Sequence, residues 1–473
     1  MVRLKCAGCR KQNCNNCSLY QQINTNKKEA SIFPGDFTPD GGRGFGMAFD
    51  VGTTTIAGLL WDLEKGVQLE AVTRINPGRY AGSDVVSRLT FLTESDGERE
   101  RMQSLMAETL DDMAREAAQD SAKVISRETA QDGAKVISRV VIVGNTAMCE
   151  MILKEPLEGL IKAPFHKSYK GCRICTGREL GFSYLKEAQV IVLPAIEGFV
   201  GADALAVHTF IKHLDGRKNV LAVDIGTNGE ILLFGKERTY ACSAAAGPAL
   251  EGAAVLCGMG ALEGAVSEVR LAGRFPREDI YCKVIGSGPP KGICGSGLVD
   301  ALALLKRIGV MDETGYLRTP LEARKAGARE VFCRRISSGQ GENRFLLTDE
   351  ENPVYLTAGD IRQLQLAKGA IRAGIEVLLQ KEKLTEKDLI HIYIAGSFGS
   401  FIRKISALEI GLLPPVSPEK ITSAGNCAGA GASMALLSER TVMEMEQDAE
   451  EICHVELADE EGFQACFLES LHV

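Results

Sequence analysis

AFDVGTTTIAG (Ala48–Gly58) and AVDIGTNGEI (Ala222–Ile231) follow one pattern: an apolar run, an aspartate, a Gly-Thr turn, and a return to β-forming residues. Each predicts strand, tight turn, strand. In such a turn Gly52 or Gly226 lets the backbone approach a phosphate, and Thr and Asn side chains with backbone N–H groups donate to its oxygens. The aspartate, Asp50 or Asp224, faces a magnesium ion or an attacking water. One copy would say little, because Asp-Gly turns also close ordinary hairpins. Two copies, separated by roughly one domain length, predict a two-lobed nucleotide cleft.

Bulk composition fits that expectation. A chain of 473 residues with 45% hydrophobic content can bury two or three domain cores. The net charge of -8 is spread along the sequence without a basic run, so nucleic acid is not an expected partner. The N-terminus, MVRLKCAGC, lacks a signal-peptide apolar stretch. The longest uncharged run, Ile421 to Ser438, is Gly, Ala and Ser around Asn426 and does not resemble a membrane span. A cytoplasmic location with no membrane partner is expected. The fifteen cysteines are an odd number, which argues against a full disulfide framework. Most, such as Cys149, Cys257 and Cys427, sit singly in apolar segments and read as small core residues.

Along the chain, residues 1–30 form a cysteine-rich head and 31–45 a polar, Gly/Pro-rich linker. From residue 46 β-rich runs alternate with helical segments, the mark of an α/β protein. The expected division is lobe I over 46–215 and lobe II over 216–438, with a surface excursion at about 314–353. A C-terminal segment, 439–473, would pack on the core. AQDSAKVISR (118–127) and AQDGAKVISR (130–139) are a tandem copy, read as a local duplication that lengthens a helix end or loop.

Three further stretches complete the nucleotide set in order. VVIVGNTAMCEMIL (Val140–Leu153) is a strand turning at Gly144 into a helix. HIYIAGSFGSFI (His391–Ile402) ends a strand in a glycine turn, where Gly396, Ser397 and Gly399 would let backbone lie against an adenine or ribose. AGNCAGAGASMALLS (Ala424–Ser438) is a small-residue helix start that would pack against that turn. Each alone also fits ordinary tight helix–strand packing. As an ordered set they resemble the acetate and sugar kinase, heat-shock chaperone and actin superfamily. That resemblance implies two ribonuclease-H-like lobes closing over Mg-ATP. Glu197, in VIVLPAIEGFVGADALA, lies 27 residues before Asp224, much like the glutamate that helps position water in the chaperone ATPases. It reads equally well as a helix-start carboxylate favoured by the helix dipole.

A narrower resemblance covers residue 47 to the C-terminus. NPGRYAGSDVVSRL, IVGNTAM, LPAIEGFVGAD, DIGTNGEI, CSAAAGPALEGA, GICGSGLVDAL, DIRQLQLAKGAIRAGI and IAGSFG are similar to motifs of the reductive activators of corrinoid-dependent enzymes. The resemblance implies an ATPase that returns a cobalt(II) corrinoid on a partner methyltransferase or corrinoid protein to cobalt(I). Its catalytic groups would be Asp50, Asp224 and Glu197. Its ATP pocket would use Gly52, Thr53, Thr54, Thr55, Gly226, Thr227, Asn228, Gly229, Gly396, Ser397 and Gly399. Many members carry a plant-type ferredoxin domain and a middle domain ahead of the ATPase part, and this chain is expected to have neither. Electrons would then enter through the cysteine head or an external ferredoxin-type donor. The superfamily allows a homodimer without requiring one.

In that head, Cys6, Cys9, Cys14 and Cys17 form C-x2-C-x4-C-x2-C, in a segment too short to build a core, so a metal would supply the folding energy. Four thiolates suit zinc or an iron–sulfur cluster, and spacing does not separate them. The electron chemistry implied by the resemblance favours [4Fe-4S], with zinc as the alternative. Cys172 and Cys175 form a second, isolated C-x2-C, a weak signal for a redox or metal site. Two other functions stay open on the same residues: an ATP-dependent electron donor to a different low-potential enzyme, and a small-molecule phosphotransferase of the sugar-kinase type.

Overall fold

Strands β1 (Phe45–Val51) and β7 (Val220–Ile225) are buried at every position except the aspartate, Asp50 in one and Asp224 in the other. A strand that is apolar on both faces belongs at the centre of a sheet covered on both sides. The computed structural model describes residues 33–473 apart from 36, 83, 126–135, 164, 275–277, 340–341 and 400. The cysteine head with Cys6, Cys9, Cys14 and Cys17 therefore lies outside the described residues.

β1 is followed by β2 (Thr55–Asp62), β3 (Val67–Ile75), β4 (Ile137–Gly144), β5 (Arg173–Thr176) and β6 (Gln189–Val192). Their order across the sheet is β3-β2-β1-β4-β6-β5. β1 pairs antiparallel with β2, as β2 does with β3, whereas β1–β4 and β4–β6 are parallel. β7 is followed by β8 (Gly229–Phe234) and β9 (Thr239–Ala244). Next come β10 (Ala265–Ala272), β11 (Asp279–Val284) and β12 (Gly292–Ile293), then β13 (Ile336–Gly339), β14 (Glu342–Leu346) and β15 (Tyr355–Thr357), each trio making a small sheet. β16 (His391–Ala395), β17 (Ile421–Gly425) and β18 (Cys453–His454) complete the second large sheet, ordered β17-β16-β7-β8-β9-β18. Outward from β7 there are again two antiparallel strands on one side and two parallel strands on the other. The two lobes thus repeat one ribonuclease-H-like topology, the α/β actin and sugar-kinase fold expected from the paired turns.

Packing and chain order part company in two places. Helix Cys427–Leu437 follows β17, yet it lies on β1, β4 and helix Ala202–Leu214 of the first lobe, and its buried residues belong to the first core. Small side chains make this possible: a Cβ at Gly431 would stand 2.1 Å from the carbonyl oxygen of Ala206. Trp61 Nε1 anchors the same helix by donating to Ser433 Oγ at 3.0 Å, wholly within the core. The stretch 314–353, expected as a surface excursion, is instead part of the second core. Phe332, Phe345 and Leu347 are almost fully buried there, where β14 pairs with β13 on one side and β15 on the other.

The tandem copies do not share a conformation. In the first, residues up to Ile125 belong to helix Asp96–Ile125, whereas Ile137 to Arg139 of the second open β4. The same IS-containing segment serves helix and strand because β1 offers an edge to one copy only, and tertiary pairing outweighs propensity.

Gly431→Ala should test the helix crossing. Alanine gains about 1 kcal/mol of helix propensity, yet forcing a methyl against backbone costs about 1–3 kcal/mol or more. A net fall in the urea midpoint is expected, and an unchanged or raised midpoint would show that the crossing is looser than described.

Candidate nucleotide site

Both glycine turns are held in shape by backbone contacts. In the first, Gly52 N donates to Thr55 O at 3.1 Å, and a Cβ on Gly52 would stand 2.8 Å from that oxygen. Asn76 secures the turn from behind, its Nδ2 donating to Gly52 O at 2.8 Å and its N–H to Thr54 O at 2.9 Å. Thr53 is buried and its Oγ1 accepts from Asn145 Nδ2 at 2.9 Å. Asn145 also caps helix Thr146–Leu153, accepting from Met148 N. Thr55 is exposed and opens β2. In the second turn Gly226 N donates to Asn228 O at 3.0 Å, Thr227 is buried, and Gly229 opens β8 against Ile371.

The fold brings the two turns into contact. Thr54 Oγ1 and Thr227 Oγ1 are 3.3 Å apart, across 173 residues of sequence. Glu251, from the CSAAAGPALEGA stretch, bridges them: Thr54 donates to its Oε2 at 2.6 Å and Thr227 to its Oε1 at 3.0 Å.

Beneath the turns is a group of carboxyls. Burial raises Asp50 from 3.8 to about 6, a rise that a hydrogen bond with Asn426 limits. Burial, with the charges of Asp50 and Asp203, raises Asp224 to about 8. Asp203 and Glu230 are pushed upward too, first by burial and then by the other acids of the group. Among the described residues, burial and the neighbouring acids dominate these rises.

The glycine turn expected to border adenosine follows β16, which places Ala395 beside Asp224. Gly396 has φ +84, and a Cβ there would stand 2.3 Å from Asp224 Oδ1, so this position requires glycine twice over. Ser397 lies in the short helix Gly396–Gly399. A Cβ on Gly399 would meet Ile394 Cγ2 at 2.5 Å, so packing against its own strand accounts for that glycine.

The donor set fits magnesium brought in with a nucleotide. Hard carboxylate oxygens lie beside two glycine turns, a donor type and a backbone form suited to a metal ion and to phosphate. Among the described residues no three acids, histidines or cysteines converge into a ready cage. Magnesium is reluctant to shed its waters and is usually held by one or two carboxylates plus substrate phosphates, so an all-protein cage is not needed.

Other expected residues lie elsewhere. Glu197 is in a turn bridged to Val200, and its Oε2 is 3.9 Å from Lys167 Nζ, which donates to the carbonyls of Ala195 and Ile196. The acid that the LPAIEGFVGAD motif contributes to the carboxyl group is Asp203, in the first turn of helix Ala202–Leu214. Cys172 and Cys175 are free and half-buried at β5. Burial, with Glu446 beside Cys172 and Glu179 beside Cys175, pushes both thiols up, away from the thiolate form that binds metal. Asp203, Glu230, Glu251, Asn145 and Asn426 were not singled out from sequence. A polar residue directly after a strand, or at a helix start within a glycine-rich motif, was the available signal for the two asparagines and Asp203.

Residues 218–473 match the family described as the C-terminal domain of RACo, the ASKHA domain, and residues 45–214 match the family described as the RACo middle region. The expectation that a middle domain is missing is thereby overturned, since that family covers the stretch read as lobe I. The corrinoid activation enzyme RamQ of Eubacterium limosum is 32% identical over 432 residues, spanning 90% of this chain and 69% of that protein. The Co(II) methylated amine-specific corrinoid protein reductase of Methanosarcina barkeri is 25% identical over 453 residues, 90% of this chain and 76% of the relative. A solved structure, the reductive activator for corrinoid, iron-sulfur protein, superposes with a TM-score of 0.77 at 28% identity, over 92% of this chain and 67% of that one. Among the described residues no helix is long and apolar enough to cross a membrane.

The carboxyl group dictates a pH response. Because Asp50 and Asp224 are raised to about 6 and about 8, the folded chain binds more protons than the unfolded chain between roughly pH 4 and 8, and their contribution to stability falls as pH rises through that window. Thermal melts without ligand should decline from pH 5 to pH 8.5, and added magnesium with nucleotide should restore more at the alkaline end. Asp224→Asn should flatten the decline and stabilise the ligand-free chain by about 1 kcal/mol or more at pH 8.

Proposed function

This chain belongs to the RACo family of reductive activators of corrinoid-dependent enzymes, and we propose that it uses Mg-ATP to return a cobalt(II) corrinoid on a partner methyltransferase or corrinoid protein to cobalt(I). The observation that carries the ATP part is the meeting of two Gly-Thr turns, each preceded by an aspartate, beside buried carboxyls that raise one another's proton affinity. The names and similarity of the relatives support the corrinoid part.

In this reading the backbone and hydroxyls of Gly52, Thr53, Thr54 and Thr55 in one lobe, and of Gly226, Thr227, Asn228 and Gly229 in the other, hold phosphate oxygens. The turn Gly396–Gly399 borders the adenosine. Asp50 and Asp224 hold the hydrated magnesium and orient water. We assign the third acidic role to Asp203 rather than Glu197, because Asp203 faces the other two acids whereas the carboxylate of Glu197 faces Lys167. Bound Mg-ATP supplies the free energy of phosphoanhydride hydrolysis.

Reduction of cobalt(II) takes one electron and is uphill for ordinary cytoplasmic donors. Nucleotide can bias it only by binding two conformations of the protein differently, as when closure of the lobes favours a docked state whose cobalt is easier to reduce. The electron would pass through a [4Fe-4S] cluster on Cys6, Cys9, Cys14 and Cys17, fed by a ferredoxin-type donor. Zinc there would make the head structural and require electrons to reach the corrinoid directly from the donor. A cytoplasmic location and a homodimer are compatible with this scheme.

Two experiments test it. Under anaerobic conditions with a corrinoid protein, a low-potential reductant and Mg-ATP, the cobalt(I) absorption spectrum should appear only with ATP. Asp224→Asn should lower both its rate of appearance and phosphate release by about 100-fold. Equal rates with and without ATP would refute the proposal. Separately, the purified chain should carry about four iron and four sulfide, lost in Cys6→Ala or Cys17→Ala. Stoichiometric zinc without visible absorption would remove the cluster from the electron path.

A further inference from the structure

The Glu251 carboxylate stands where a phosphate is expected. Its Oε2 accepts the hydrogen bond of the Thr54 hydroxyl and its Oε1 that of Thr227. A hydroxyl has one proton to donate, so neither threonine retains one for a nucleotide. The same Oε1 is the side-chain atom facing Gly226, 3.7 Å from where a Cβ would be, over the backbone at which a phosphate would approach. Glu251 is also tightly placed: it ends the short helical turn Pro248–Glu251, and the next residue, Gly252, is left-handed at φ +82 with its open side against Met259 O.

We propose that Glu251 is an internal competitor for the phosphate-binding hydroxyls, a latch that joins the two lobes until nucleotide phosphates displace it. The proposal rests on the reading of this cleft as the ATP site. Its chemistry is an exchange of acceptors: two O–H groups move from a carboxylate to phosphate oxygens, and no covalent bond changes. The freed carboxylate must swing away, because it would otherwise face the phosphates as a like charge. Nucleotide binding is thereby coupled to release of a contact between the lobes. Glu251 is a positioning residue in this scheme, acting through Thr54 and Thr227.

The test is titration calorimetry of the full chain with Mg-ATP and, in parallel, with adenosine, for the natural protein and Glu251→Gln. Neutralising the carboxylate weakens its hold on both hydroxyls, a charge-assisted interaction, so Mg-ATP should bind about tenfold tighter. Adenosine, which has no phosphate to compete, should bind unchanged. Unchanged or weaker Mg-ATP binding by the variant, with the natural protein binding normally, overturns the latch alone. An equal change for ATP and adenosine also overturns it, since that marks a structural effect. If neither protein binds Mg-ATP, the nucleotide reading falls and the latch falls with it. Should Glu251→Gln fail to fold, Glu251→Asp, whose shorter arm cannot reach both hydroxyls, replaces it with the same expected directions.

Discussion

Four buried carboxyls share a site in which, among the described residues, burial and their own charges dominate, and the surrounding elements are arranged to tolerate that. Asp50 ends a strand of one lobe, Asp224 the matching strand of the other, Asp203 begins a helix, and Glu230 lies at the start of the hairpin return. Bringing like charges out of water is unfavourable, and the protein's response is protonation: their proton affinities rise together. Surrounding groups limit the cost. Asn426 hydrogen-bonds Asp50, the helix starts at Ala202 and Cys427 present N–H groups nearby, and Gly396 allows backbone to lie against Asp224 without a side chain. Any positive charge brought to this site would relieve the same cost.

The architecture and the two turns were legible because they depend on local chemistry repeated at a distance. An apolar strand interrupted only by aspartate, followed by Gly-Thr, has few other uses when it occurs twice. The partners of those turns were not legible. Glu251 meets Thr54 over 197 residues of sequence, and Asn145 meets Thr53 over 92, and nothing local marks either as more than a loop carboxylate or a helix cap. Glu197 drew notice as the acid at the end of a strand, but the helix that follows turns Asp203 toward the cleft. The 314–353 stretch was misread because its charged residues lie among the apolar ones; pairing with β15 decides which of them face inward.

The duplicated topology also explains why the turns can act together. Each lobe supplies one aspartate and one Gly-Thr turn from an equivalent hairpin. Under the proposed function a phosphate between them would be held from two sides, and the hold would depend on how the two turns face each other.

The contact between helix Cys427–Leu437 and helix Ala202–Leu214 has a consequence at a distance from itself. Glycine and alanine bring the two backbones together, and Trp61 Nε1 donating to Ser433 Oγ pins the later helix to the first-lobe core. Asp203 lies in the first turn of one helix and Asn426 caps the other, so the position of one acid, and of the amide that bonds Asp50, is inherited from helix packing and not from a loop. A methyl group added at Gly431 would therefore be felt at the acids without touching any of them.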